Sequence, residues 1–240
     1  MPIIQKGGAV VKQWFPKEKL QKAFVDALFP EYNSCHLCGC FADRAGILCS
    51  RCAHELHAIQ YAKRHVVSPE AHAPLKICLS AFPHRDGARE LVHLLKYESD
   101  CAAADLLCEA MAAALAISPL ALNHLDVVVP VPLHAARLEQ RGYNQALLLA
   151  QGVCRRTGLR LMDGALLRLH ATDTQLHRDR AQRMEAMRHA FASSDPQAVR
   201  GLHVLLVDDV LTTGATAVSC ARALLAAGAA SVSLLTVCRA

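Results

Sequence analysis

The sequence predicts an α/β fold: a parallel sheet flanked by helices, preceded by a small cysteine-rich module. Three observations predict it. Val204-Leu205-Leu206-Val207 is an unbroken apolar run, followed by a polar loop and by the alanine- and leucine-rich stretch Ala217 to Ala227. Asp126-Val127-Val128-Val129-Pro130-Val131-Pro132 repeats the pattern, with the helix-forming stretch Ala146 to Thr157 behind it. Strands buried on both faces read as continuous apolar runs, and strand–loop–helix units in series build parallel sheets. The third observation is Cys35-x-x-Cys38 with Cys49-x-x-Cys52, placed before the first of these strands.

Composition sets outer limits. The chain has 240 residues, 53% of them hydrophobic, so a core is easily filled. A net charge of +5 with 13 histidines permits contact with phosphorylated ligands or nucleic acid without demanding it. The sequence holds no apolar run of the roughly 18 residues a membrane span needs. Lysines and acids are spread through the first thirty residues, which argues against a secretory signal. Eleven cysteines then point to thiols in a reducing, cytoplasmic compartment.

In chain order, Lys17 to Phe29 carries Leu20, Phe24 and Leu28 at helical spacing and predicts a short amphipathic helix. Each C-x-x-C pair places two thiolates on one metal through a tight turn. Cys35, Cys38, Cys49 and Cys52 therefore predict a four-cysteine zinc ribbon, closed and structural because it leaves no open coordination position. Cys40 either replaces Cys38 or is a spare thiol, and His36, His54 and His57 rank below the cysteines. Ser80 to Ser99 reads as a helix with an apolar stripe and a basic flank that includes His84, Arg89, His93 and Lys96. Ala102 to Leu122 reads as a buried core helix. After the Val127 strand the two prolines end pairing, and the loop Leu133 to Gln145 offers Arg137, Arg141, Asn144 and Gln145 to an anion or a base. Gly158 caps the helix that follows. Leu166 to Phe191 is rich in arginine and histidine and poor in apolar residues. It reads as a loop and then a solvated helix: a cover for a phosphorylated ligand, a nucleic-acid contact, or a plain charged surface.

The loop after Val207 carries the chemistry. Asp208 and Asp209 stand where the strand is expected to end, before Thr212, Thr213, Gly214, Ala215 and Thr216. Gly214 admits backbone angles and close approaches denied to other residues. The threonine hydroxyls and the first N–H groups of the next helix suit a phosphate. The two acids suit a sugar diol or a hydrated Mg²⁺. Together they predict a ribose 5-phosphate group, phosphate on the turn and hydroxyls on the acids.

Val207-Asp208-Asp209-Val210-x-Thr212-Thr213-Gly214-Ala215-Thr216 resembles the 5-phosphoribosyl-1-pyrophosphate (PRPP) binding motif of type I phosphoribosyltransferases. That resemblance implies that Asp208 and Asp209 bind the ribose hydroxyls and that Thr212 to Thr216 bind the 5-phosphate. Beyond Glu31 nearly the whole chain is similar to the ComF family, proteins linked to DNA uptake in competent bacteria. The similarity rests on the paired cysteines, Leu95-Lys96-Tyr97, Pro130-Val131-Pro132, Arg141-Gly142-Tyr143-Asn144-Gln145, Gln175 with Arg183 and Ala190-Phe191, and the phosphoribosyl motif. One departure is Ala186, where the family often has asparagine.

The resemblance implies a type I phosphoribosyltransferase-like sheet and a three-part chain. Residues 1–34 form a helical lead, 35–57 the zinc module and 58–240 the phosphoribosyltransferase-like domain. It further implies Mg²⁺ bridging a pyrophosphate on Pro130 to Arg137, an arginine-rich lid, and Lys96, Arg137 and Arg141 as cations facing the departing charge. Two functions follow. One is an enzyme that transfers or hydrolyses a 5-phosphoribosyl group. The other is a non-catalytic, ligand-gated module that binds single-stranded DNA or a helicase partner during DNA uptake.

Overall fold

The computed structural model describes residues 34–40, 42, 47–62, 65–67, 72–97, 100–118, 124–169 and 190–240. The expected Lys17 to Phe29 helix, Gln175, Arg183 and Ala186 lie outside them.

A six-stranded sheet is the frame. β1 (His65–Val67) is antiparallel to β2 (Cys78–Pro83), and the remaining pairs are parallel. With β3 (Val127–Pro130), β4 (Arg160–Leu161), β7 (His203–Leu211) and β8 (Ser231–Arg239), the order is β1-β2-β8-β7-β3-β4. The two strands read from apolar runs are neighbours, Val128 opposite Leu205 and Val129 opposite Leu206. Both are buried on both faces, and alternate residues feed separate cores. Leu205 and Val207 face one core, Val204 and Leu206 the other.

Helices α1 (Ser50–Ala62), α2 (Asp86–Tyr97), α3 (Cys101–Ala116) and α5 (Gln145–Thr157) cover the first face. Cys35, Leu48, Cys52 and Leu56 share that core, so the cysteine segment is packed onto the sheet. Helix α7 (Ala215–Ala226) covers the second face beside a small antiparallel pair of strands, β5 (Leu166–Arg168) and β6 (Phe191–Ser193). Leu224 of α7 is fully buried there, which stabilises the layer by about 1.5–3 kcal/mol. Two short helices complete the described elements, α4 (Ala135–Arg141) and α6 (Pro196–Val199).

Four expectations need correction. Ser80 to Pro83 belongs to a buried strand paired with β8, and the helix starts only at Asp86, because Pro83 closes the ladder. The core helix α3 stops at Ala116 rather than Leu122. The loop after Val131 contains a helix of about two turns, α4, ended by Gly142 in the left-handed region (φ 77°). The two ends of the arginine-rich stretch are strands, and residues 170–189 between them lie outside the described set.

Candidate functional site

The candidate residues gather at the carboxyl ends of β7 and β3, where open α/β sheets place their ligands. β7 runs on through both acids to Leu211, with Asp208 opposite Thr236 and Val210 opposite Cys238. The sequence reading ended the strand before them. Because successive strand residues point to opposite faces, the two carboxylates part company. Asp208 lines a cleft on the α7 side with Thr212, Thr213, Gly214, Ala215, Thr216 and Thr236. Asp209 turns to the other face and is buried.

The cleft ends on the start of α7. Gly214 is its N-cap, in the left-handed region (φ 76°), and supplies no side-chain cap. Helices α3, α4, α5 and α6 differ: Asp100, His134, Asn144 and Asp195 each accept from a first-turn N–H. In α7 Ala215 N–H makes only a long contact to Thr213 Oγ1, 3.4 Å. Its first-turn donors and the positive end of its dipole face the cleft. Asp208 accepts from Asp209 N–H at 2.8 Å. Burial and the neighbouring Asp209 charge hold the Asp208 carboxyl well above its ordinary pKa, while that N–H, Lys96 and Arg168 pull the other way. Arg168 rests over the Phe191 ring at 5.5 Å, and its charge reaches Asp208 from that strand pair.

On the opposite face Asp209 Oδ2 accepts from Gln145 Nε2 at 3.0 Å and pairs with Lys96 Nζ at 3.1 Å. Three motifs separated in sequence meet here. Tyr143 O–H donates to the Leu95 carbonyl, and the Arg141 guanidinium lies 5.2 Å from the Tyr97 ring centre. The Arg-Gly-Tyr-Asn-Gln segment thus clamps the end of α2 and aims Lys96 at the acid. Asn144 is engaged at both ends of its amide, accepting from Ala146 N–H and donating to the Val131 carbonyl, each at 3.0 Å. It shapes the loop. Arg137 stands exposed on α4. Burial lowers the His84 pKa, Lys96 and Arg89 add to that, and Asp209 opposes it, which places His84 in the same charged corner.

The second centre is the cysteine knuckle. The sulfurs of Cys35, Cys38, Cys49 and Cys52 all lie within 4.8 Å of one another, with Cys38 and Cys49 at 3.6 Å. A tetrahedral metal with sulfur ligands at 2.3 Å needs edges of roughly 3.8 Å, so the cluster can hold a metal such as zinc. Burial works against charge on Cys35, but backbone N–H groups of Cys49, Leu37 and Cys38 outweigh it and bring the thiol down to about 6. Cys40 and the three histidines stay outside the group. Cys40 gives its carbonyl to Cys35 N–H instead, and His36 binds Asp100, the N-cap of α3.

The two centres touch the same helix. Leu37 of the knuckle packs on Gly87 in the first turn of α2, where a Cβ would fall 2.7 Å from Leu37 Cδ1. The last turn of α2 carries Lys96 to Asp209. Sequence reasoning gave no role to Tyr97, Tyr143 or His84 in this assembly, and none to His72, whose ring packs on Gly214. Tyr97 and Tyr143 stood inside quoted motifs, but nothing local to His72 sets it apart.

A model of the phosphoribosyl transferase domain matches residues 146–240. The DNA utilization protein YhgH of Salmonella typhi is 34% identical over 209 residues, 85% of this chain and 83% of that protein. Competence protein ComFC of Bacillus subtilis is 37% identical over 114 residues, 47% of this chain and 44% of that protein. Among solved structures, the glutamine phosphoribosylpyrophosphate amidotransferase of B. subtilis, complexed with ADP and GMP, superposes with a TM-score of 0.43 at 20% identity. It covers 65% of this chain, which spans only 31% of that enzyme.

Proposed function

The chain belongs to the ComF family of competence and DNA utilization proteins, and from that premise we propose that it binds a 5-phosphoribosyl ligand of the PRPP type with Mg²⁺. One observation carries the reading: Asp208 faces, across a single cleft, a threonine turn whose helix lacks a side-chain cap. The 5-phosphate sits on Thr212 to Thr216 and the α7 N-terminus. The ribose hydroxyls sit on Asp208. Asp209 acts from behind, holding Lys96 and Gln145 in place. The Asp208 carboxylate and threonine hydroxyls are hard oxygen donors of the kind Mg²⁺ takes, and a bound cation relieves a carboxylate whose charge is disfavoured. Mg²⁺ would supply neutralisation of the pyrophosphate charge. Arg137 and Arg141, on the loop after β3, are the protein's cations for that group.

The reaction class is transfer of the phosphoribosyl group to a nitrogenous acceptor with release of pyrophosphate, in the service of DNA uptake during natural transformation. The four-cysteine cluster holds a structural Zn²⁺. No helix among the described residues is long and apolar enough to cross a membrane, and eleven cysteines with none in a disulfide fit the reducing cytoplasm. A second reading is favoured by one contact. Lys96 is neutralised by Asp209, as suits a ligand-gated module that binds single-stranded DNA or a helicase partner without turnover.

Calorimetry with ribose 5-phosphate and with PRPP plus Mg²⁺ tests the binding site. Saturable heat that Asp208→Asn abolishes is expected, and its absence from folded wild-type protein removes the proposal. Pyrophosphate release across a panel of bases then separates enzyme from module. Gel-shift affinity for single-stranded DNA should fall steeply with salt if binding rests on phosphates.

A further inference from the structure

His72 lies far in sequence from the threonine turn, yet its imidazole is packed directly on that turn. A Cβ built on Gly214 would fall 2.4 Å from His72 Nδ1, 2.8 Å from Cε1 and 3.3 Å from Cγ. Glycine is required at 214 for its positive φ and again because the ring occupies the space of a side chain.

The ring is held by the fold. His72 to Leu75 is a turn closed by Leu75 N–H donating to the His72 carbonyl at 3.0 Å. Leu75 is buried in the core beneath α7, with Ala217, Cys220 and Leu224. The turn and the first residues of α7 therefore share one core, with a half-buried imidazole at its edge.

The chemistry of the cleft gives that position a use. Thr212, Thr213, Thr216 and the backbone N–H groups are neutral donors, and the ionisable side chain that lines the cleft with them is the acid Asp208. A phosphate monoester carries close to two negative charges, and a ring N–H is a directional donor that strengthens against an anion. We propose that His72 is a phosphate-binding residue: a donor from outside the motif that contacts the 5-phosphate across Gly214. The inference rests on the phosphoribosyl reading of the cleft and adds a residue that the motif does not contain.

The test titrates ribose 5-phosphate into wild type, His72→Ala, His72→Gln and Asp208→Asn by calorimetry, with thermal melts as folding controls. His72→Ala should weaken binding about tenfold, the scale of one lost hydrogen bond to a charged group. His72→Gln, which restores an N–H donor, should recover most of the affinity at an unchanged melting temperature. In two-dimensional ¹⁵N spectra the His72 ring resonances should shift when the ligand is added. The inference is overturned if His72→Ala binds as tightly as wild type, if alanine and glutamine lose affinity equally, or if the ring resonances stay fixed. Failure of wild type itself to bind overturns the phosphoribosyl reading as well. Wild-type binding that Asp208→Asn removes and His72→Ala does not overturns His72 alone.

Discussion

The cysteine knuckle and the threonine-lined cleft are built on opposite plans. The knuckle draws its four sulfurs from one continuous piece of chain, Cys35 to Cys52, and its turns are closed by that piece's own backbone. The cleft and its supports draw on β7, the start of α7, the end of α2, the start of α5 and the turn at His72. A local site is specified by spacing. A distributed site is specified by topology, and its members are tuned by neighbours far away in sequence. Helix α2 is where the plans meet, with Leu37 against its first turn and Lys96 leaving its last.

The largest expected effect comes from emptying the knuckle. Cys35→Ser with Cys52→Ser, or a strong chelator, should release about one zinc per chain and cost several kcal/mol, because metal binding in such a cluster is folding free energy. On a chain of this size the melting temperature should drop on the order of 10 °C. Since Cys52 and Leu56 share the core with Leu91 and Leu95 of α2, ribose 5-phosphate affinity should also fall. Intact affinity after metal loss would separate the two centres.

The next effect belongs to the distributed site. Lys96→Met leaves the buried Asp209 carboxylate without its cation. Breaking a fully buried pair costs about 3–5 kcal/mol. Lys96 keeps a quarter of its side chain exposed, so about 2–3 kcal/mol is expected in denaturant melts. Adding Asp209→Asn to Lys96→Met should restore most of that loss, since the unpaired charge is gone. If the double variant is no better than the single, the pair is not what holds the acid.

Gly214→Ala follows, at about 2 kcal/mol. Left-handed backbone costs a Cβ-bearing residue roughly 1–2 kcal/mol, and the added methyl must displace the His72 ring. Thermal melts measure it, and a change under half a kcal/mol would mean that the turn relaxes freely.

These cases mark how far the sequence was legible. The two central strands could be read because a strand buried on both faces must be apolar throughout, as Val127 to Val129 and Val204 to Val207 are. The knuckle could be read because thiolate spacing is a local constraint. The Thr212 to Thr216 turn could be read as the joint between a strand and a helix because glycine and threonine punctuation is local too. The parting of Asp208 from Asp209 was hidden by one detail, the continuation of β7 past both, which depends on pairing with Thr236 and Cys238. Ser80 to Pro83 resembles helix in sequence because its neighbours have helical spacing, and only its place between β1 and β8 makes it a strand. His72 and His84 carry no local signal, since their surroundings come from elements remote in the chain.

The smallest effect is also the one that best separates the two acids. Asp208 has its pKa raised from 3.8 to about 8 by burial and by Asp209. The folded state therefore binds a proton that the unfolded state has released, across the interval between those values. Stability contributed by that proton is present at low pH and is lost as pH rises toward 8. Asp208→Asn has nothing to titrate, so its stability relative to wild type should grow from pH 5 to pH 8 and level off above. Because Asp208 keeps some contact with solvent, the gain should be only about 1 kcal/mol. Denaturant midpoints at pH 5, 7 and 9 measure it. Mg²⁺ with ribose 5-phosphate should flatten the wild-type profile, because a bound cation favours the carboxylate, and binding near pH 7 should then release a proton that calorimetry in two buffers detects. Parallel profiles for wild type and Asp208→Asn would mean that Asp208 is ionised in the free protein. The cleft would then stand ready for a cation without any proton to displace.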